Sequence, residues 1–446
     1  MDYKELRKKY PEFVYENFKI ESVNMDLKIE FSFSCGNIKF TPFVIIKDTP
    51  NLDPEKLNVF AFNLGMVELL SYWKATYSPK IIIKSGYLDE WQKDWWKKLY
   101  TKGMGQYFYE NKINFKTDSF DILIDSDKKF STAGGKIENN ILMAFSGGID
   151  STLSLDILNK NSESFGLFMM NPTMQTREMA DNYKNQQIIA GRGIDPDLLR
   201  INNNGYLNGH TPISAYLAFL SVFSAYIYGY KYVVFSNERS SNEGNAKFLG
   251  EEINHQYSKT FEFENDFREY SKKYLSDGIE YFSFLRPLYN LQIAKLFAKN
   301  HNHFSLVKSC NVNQKSGTWC LTCPKCLSTF ILLYPFITST EVEEIFSGNV
   351  YTNEDLFPLL ESLVDKNKVK PFECVGTREE ILAGLFLSVQ KHDGFDLPPL
   401  LKMAQDKILS KYSDMLDKSD ILLKSWDESN NLPKNYERIL REEIQK

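Results

Sequence analysis

A chain of 446 residues, 43% hydrophobic and 25% charged, has the length for two or three soluble domains with real cores. Its formal net charge of -5 argues against nucleic acid as a partner, since a polyanion calls for a basic surface. The N-terminal MDYKELRKKYPEF is charged and lacks the apolar core of a signal peptide, so no leader is expected.

Residues 1–135 read as an N-terminal α+β domain. Leu27, Ile29, Phe31 and Phe33 alternate with polar residues, the period of a half-buried strand. Val59 to Tyr77 predicts a helix, and KIIIK at 80–84 a strand. LDEWQKDWWKKLY at 88–100 predicts an amphipathic helix with Gly103 and Gly105 just beyond it. The aromatic WKATYSP and WWKKLY segments fit core stripes at helical spacing. STAGGKIENN at 131–140 is polar and Gly-bearing, and reads as a linker.

Residues 136–330 change pattern, to short apolar runs separated by helices. Strands are expected at ILMAF (141–145), FGLFMM (165–170), LLRI (198–201) and YVVF (232–235). Helices are expected at STLSLDILNK and at TREMADNYKNQQIIAG (176–191). Strands joined by helical crossovers imply a parallel sheet covered on both faces, an α/β class. Ligands of such sheets lie outside the carboxyl ends of the strands. The loops after Phe145, Met170, Ile201 and Phe235 should therefore share one rim. Thr211 to Tyr230 contains no charged residue, but Pro212 and several hydroxyls dilute it, so a buried helix is expected and not a membrane span. Residues 331–446 read as a helical C-terminal region.

The loop Ser146-Gly147-Gly148-Ile149-Asp150-Ser151, followed by Thr152, sits between a predicted buried strand and a helix. Two glycines let backbone approach phosphate oxygens, and the helix start offers free N–H groups. Asp150 would be repelled by bare phosphate, which suits it to holding Mg2+ on pyrophosphate. The Gly-Lys-Ser/Thr ending of a Walker A loop is missing. The loop resembles that of the PP-loop ATP pyrophosphatases. The resemblance implies splitting of ATP into AMP and pyrophosphate to activate a carboxylate, carbonyl or amide oxygen.

Of six cysteines, four fall within seventeen residues: Cys310, Cys320, Cys323 and Cys326. That crowding reads as a metal site in a reducing, cytoplasmic compartment, with structural Zn2+ first and an Fe–S cluster second. A glycine loop followed by this pattern is similar to the QueC-type 7-cyano-7-deazaguanine synthases.

A more specific resemblance is carried by GMVELLSYWKATYSPK (65–80), WWKKLY (95–100), NGHTPISA (208–215), SNERSSNE (236–243), NHQYSKTFEFENDFREY (254–270), YFSFLRPLYNLQIAKLFA (281–298), SCNVNQKSGTWCLTCPKCL (309–327) and KPFECVGT (370–377). Together these resemble the MurL family, the UDP-N-acetylmuramoyl-L-alanyl-L-glutamate epimerases of peptidoglycan synthesis. The resemblance implies an isomerase acting on a UDP-linked muramyl dipeptide, with ATP consumed. It involves no nucleic acid and no membrane, and the sequence specifies no oligomeric state.

The acid/base candidates are His255, for the ordinary imidazole pKa, Lys259, on the same face if that segment is helical, and Cys374, as an activated thiol. Asp150 is the catalytic carboxylate. Glu238 and Glu243 fall on the expected rim, and Arg192, Arg239 and Arg286 are candidate clamps for diphosphate or carboxylates. Two other classes compete: a QueC-like enzyme that adds ammonia to an activated carboxylate, and a non-catalytic ATP-sensing protein.

Overall fold

The computed structural model describes residues 1–50, 52–134, 137–161, 165–313, 316–393 and 396–445. The strands in chain order are β1 (Glu12–Val23), β2 (Asp26–Cys35), β3 (Ile38–Phe40), β4 (Phe43–Ile46), β5 (Lys80–Ile83), β6 (Asp121–Ile124) and β7 (Glu138–Ala144). They continue with β8 (Phe165–Met170), β9 (Gln186–Gly193), β10 (Tyr230–Phe235), β11 (Ala246–Phe248), β12 (Glu251–Ile253) and β13 (Glu280–Ser283). Eleven of them form one mixed sheet in the order β13-β10-β7-β8-β9-β4-β2-β1-β5-β6, with β3 paired to β2. From β13 to β9 the pairs are parallel, and β1-β5-β6 are parallel again. Between the two blocks, β9-β4-β2-β1 are antiparallel. The junction is β4 against β9, with Phe43 opposite Gly193 and Ile46 opposite Ala190. One sheet therefore takes strands from both sides of the boundary expected at 135.

The alternation at Leu27 to Phe33 forms β2, where every second residue is buried. The following helix, Pro54–Glu68, starts where the Asp53 side chain accepts from the Glu55 N–H and Pro54 fixes φ in the first turn. Helix Glu90–Gly103 begins on a capping box of Asp89 and Gln92. Gly103 closes that helix and Gly105 opens the next, Gly105–Glu110, so neither lies in a loop beyond it.

Two expected elements are exchanged. QQIIAG, read as the end of a long helix, is strand β9, and that helix stops at Asp181. LLRI, read as a strand, lies in helix Pro196–Asn203. The Asp195 cap and Pro196 in the first turn start that helix, and only Leu198 and Ile201 point inward while Leu199 is 59% exposed. Spacing of i and i+3 is a helical face and not a pleat. The linker expected at 131–140 falls partly on residues 135 and 136, which lie outside the described residues. Before them Ala133 is buried, its N–H on the Leu275 carbonyl at 2.8 Å, and β7 has begun by Glu138.

Both faces of the parallel block are covered. Leu142, Phe168 and Val233 enter one core, which also holds the aromatic N-terminal residues and helix Ile213–Tyr228. Their neighbours Ile141, Met143, Leu167 and Val234 enter a second core with the C-terminal helices. Helix Ile213–Tyr228 is the uncharged segment, buried and ended by Gly229 at φ 78°, a left-handed cap. Among the described residues, no helix is long and apolar enough to cross a membrane. Beyond Phe330 the described chain is helical.

Candidate active site

The glycine loop leaves the carboxyl end of β7 and enters helix Ile149–Asn161. Gly147 has φ +77°, and a Cβ there would stand 2.8 Å from Thr176 Oγ1, so both backbone and space require glycine. Ser151 Oγ donates to the Gly148 carbonyl at 3.1 Å and lies 3.3 Å from Ser146 Oγ. Thr176 Oγ1 donates to the Ser146 carbonyl at 3.2 Å. These bonds fix the turn while the first N–H groups of the helix stay free of intrahelical partners.

The loop opens on a cavity of about 500 Å³. Ser146, Gly148, Ile149, Asp150 and Ser151 line it, with Asn171 after β8 and Asn237 after β10. Thr152 is off this wall: it is buried and its hydroxyl donates to the Met179 sulfur at 3.3 Å. The 202–210 loop does not line the cavity either, because it follows a helix and not a strand end. Asp150 is half-buried, and burial followed by the nearby Glu238 pushes its carboxyl up to about 6. A carboxylate held under that strain favours an incoming cation.

Another part of the cavity wall comes from distant segments. Lys259 Nζ donates to Cys374 Sγ at 3.3 Å, and Cys374 Sγ lies 4.0 Å from His255 Nε2. The sulfur beside it is the main influence raising the Lys259 pKa, so the lysine is held charged. Tyr257–Lys259 is a 3-10 turn, so His255 and Lys259 do not share an α-helical face; they meet through Cys374. His255 does not keep an ordinary imidazole pKa. Burial, then His210 and three lysines, pushes it down to about 2, and burial pushes the adjacent His210 down to about 4. His255 Nδ1 lies 3.0 Å from Asn245 Oδ1. Asn245 Nδ2 donates to the Pro371 carbonyl at 2.7 Å, which assigns its Oδ1 as acceptor and Nδ1 of His255 as the protonated nitrogen. The lone pair on Nε2 then faces the Cys374 thiol.

Asn245 thus ties His255 to the segment carrying Cys374, and no local pattern marked it. Arg286 does the same for the other loops. It is 0% exposed, paired with Glu264 at 3.0 Å, and donates to the carbonyls of Glu238 at 2.8 Å and Lys259 at 2.7 Å. It is a strut and not a ligand clamp. Arg192 is held by both oxygens of buried Glu68 at 2.8 Å, so its guanidinium is not free for a substrate, while Arg239 pairs with Asp427 at 3.3 Å and lies over the Tyr289 ring. Glu243 accepts from Lys370 Nζ at 2.7 Å.

The four crowded cysteines converge, with every sulfur within 4.8 Å of the others. Cys310 to Cys323 is 4.0 Å and Cys320 to Cys326 is 3.7 Å. The edge of a tetrahedron built on Zn–S bonds of ~2.3 Å is about 3.8 Å, so the set fits one tetrahedral ion. Backbone N–H groups of Asn313, Cys323 and Cys326 point at the sulfurs of Cys310, Cys320 and Cys323 at 3.3, 3.3 and 3.4 Å. Such donors suit thiolates. Cys310 also lines the cavity, as do Lys308, Ser309 and Lys325. Lys325, flanked by Cys323 and Cys326, carried a signal in its position that charge alone did not.

The match to known families follows this geometry. The MurL N-terminal domain model matches residues 4–284, and the MurL C-terminal domain model matches residues 305–418. The chain belongs to the MurL family. Relatives named UDP-N-acetyl-alpha-D-muramoyl-L-alanyl-L-glutamate epimerase occur in Xanthomonas oryzae pv. oryzae, 30% identical over 71% of this chain and 71% of the relative, and in Micromonospora sp., 30% identical over 86% and 88%. A third, from Salinispora tropica, is 32% identical over 67% of this chain and 66% of its own. The chain is accordingly an enzyme of an epimerase family. All described strands lie within the first MurL match, while the cysteine quartet and Cys374 lie within the second. The Lys259–Cys374 contact is made between the two.

Proposed function

We propose that this MurL-family protein inverts the terminal L-glutamate of UDP-MurNAc-L-Ala-L-Glu to D-glutamate in peptidoglycan precursor synthesis, using ATP and releasing AMP and pyrophosphate. The observation that carries the reading is the convergence of a phosphate-type glycine loop and the Lys259–Cys374 pair on one cavity, with His255 4.0 Å from the Cys374 sulfur. The glycine loop is read as a PP-loop, with Asp150 holding Mg2+ on the phosphates. A division into an N-terminal unit (1–135), a PP-loop unit (136–330) and a helical region (331–446) goes with that reading, as does a cytoplasmic location.

Physical chemistry explains why an epimerase would consume ATP. A Cα–H beside a carboxylate is a very weak acid, because deprotonation puts a second negative charge on the same group. Attack of that carboxylate on the α-phosphorus expels pyrophosphate and leaves an acyl-adenylate, whose carbonyl no longer carries the carboxylate charge. The carbanion formed next delocalises into the acyl oxygen, where cations and N–H groups stabilise it. Cys374, as a thiolate balanced by the Lys259 ammonium that donates to it, removes the proton. Return of a proton to the other face and hydrolysis of the adenylate give the product and AMP. The four cysteines hold a structural Zn2+ in this scheme; their closeness favours one ion over an iron–sulfur cluster, whose several irons spread the thiolates further apart.

Incubation with ATP, Mg2+ and UDP-MurNAc-L-Ala-L-Glu in heavy water tests the proposal. D-glutamate on chiral analysis, deuterium at its Cα and one AMP per turnover are expected. Turnover that requires ammonia and yields an amide or nitrile would place the protein with the QueC-like enzymes instead.

A further inference from the structure

Three lysines line the cavity, and two are engaged. Lys259 donates to Cys374, and Lys308 donates to the carbonyls of Ser305 at 3.0 Å and Ile345 at 3.3 Å. Lys325 differs. Its backbone is gripped at the start of helix Pro324–Leu333, between Cys323 and Cys326. Its own N–H donates to Glu373 Oε2 at 3.1 Å, and the same oxygen accepts from Asn311 Nδ2 at 3.0 Å. The half-buried side chain faces the cavity, yet its ammonium has no hydrogen-bond or ion-pair partner among the described residues.

We propose that Lys325 binds a phosphoryl oxygen of the nucleotide and completes the cradle begun by the glycine loop, an assignment that rests on the ATP reading above. A cation that is partly desolvated and unpaired gains most from an anion that arrives already desolvated by the cavity. The cysteine cluster that carries Lys325 abuts the glycine loop: a Cβ on Gly148 would stand 3.2 Å from Ser309 Oγ, and the next residue, Cys310, has its sulfur 4.0 Å from that of Cys323. Phosphate oxygens beside Asp150 need such a counter-charge, and lysine serves phosphate as a point charge where no planar fork is required. The two cysteines that flank it hold its backbone in place, so the cation stands ready before the ligand arrives.

Calorimetric titration of the full-length protein with Mg-ATP, and separately with inorganic pyrophosphate, tests the assignment. Lys325→Met and Lys325→Gln should each weaken both probes about tenfold or more, and Lys325→Arg should retain most of the affinity. Thermal unfolding and bound-metal content identify variants that keep the fold. If both neutral variants unfold, the wild type still reports: Mg-ATP should shield Lys325 from acetylation, read by mass spectrometry. Folded neutral variants that bind both probes as tightly as the wild type would overturn the assignment, as would acetylation of Lys325 indifferent to Mg-ATP. A wild type that binds neither probe removes the ATP reading itself, and this assignment with it.

Discussion

The two walls of the cavity are built in different ways. The glycine-loop wall comes from one short segment, 146–151, at the end of one strand, held by Ser146, Ser151 and Thr176. The thiol wall joins His255 to Cys374, 119 residues apart, and Lys259 to Cys374, 115 apart, through the struts Asn245 and Arg286. A local wall needs only a strand, a turn and a helix to form. A long-range wall needs the whole fold, and its chemistry is sensitive to substitutions far from the substrate. The proposed function divides the labour along the same line: nucleotide chemistry on the first wall, proton transfer on the second.

Cys374→Ala should break that division most sharply. Deuterium exchange at Cα is expected to fall roughly 10²–10⁴-fold, the range for losing a positioned base, while substrate-dependent pyrophosphate release persists. Equal loss of both reactions would show that the walls do not act separately.

Arg286→Ala attacks the strut. It leaves Glu264 buried without its partner, which costs about 3–5 kcal/mol of stability in denaturant unfolding. Unfolding unchanged from wild type would mean that Arg286 does not hold the wall.

Asp150→Asn separates stability from activity. The carboxyl is raised from 3.8 to about 6 in the fold, so it favours the native state while protonated, and that advantage is lost as the pH rises through 6. The variant should match wild-type stability near pH 4 and exceed it at pH 7–8 by about 2 kcal/mol, a figure reduced for solvent screening. AMP formation should disappear in the same variant. A stability gap that does not change with pH would remove the charge argument.

The smallest effect expected on the chemistry comes from metal chelation. Hydrogen exchange should rise first in residues 310–326 and only later in the glycine loop. Metal analysis that finds neither zinc nor iron in the purified protein would remove the site.

Where the sequence was misleading, the reason is local ambiguity. IIA in QQIIAG is too short an apolar run to separate strand from helix, and only its place beside β8 and β4 makes it a strand. LLRI was equally short, although Asp195-Pro196 ahead of it was a legible helix start. Candidate arginines were legible as charges but not as struts, because only packing reveals a guanidinium already saturated by Glu68 or Glu264.

Spacing within a few residues was enough to mark the glycine turn, the cysteine quartet and three strands of the parallel block, β7, β8 and β10, but not β9 or β13. Tertiary structure decided that Cys374 meets Lys259 and His255, that Asp150 and His255 lose their ordinary acidities, and that Lys325 faces the cavity unpaired. Those properties depend on burial and on charges supplied by segments far away in the chain, and no short pattern encodes either.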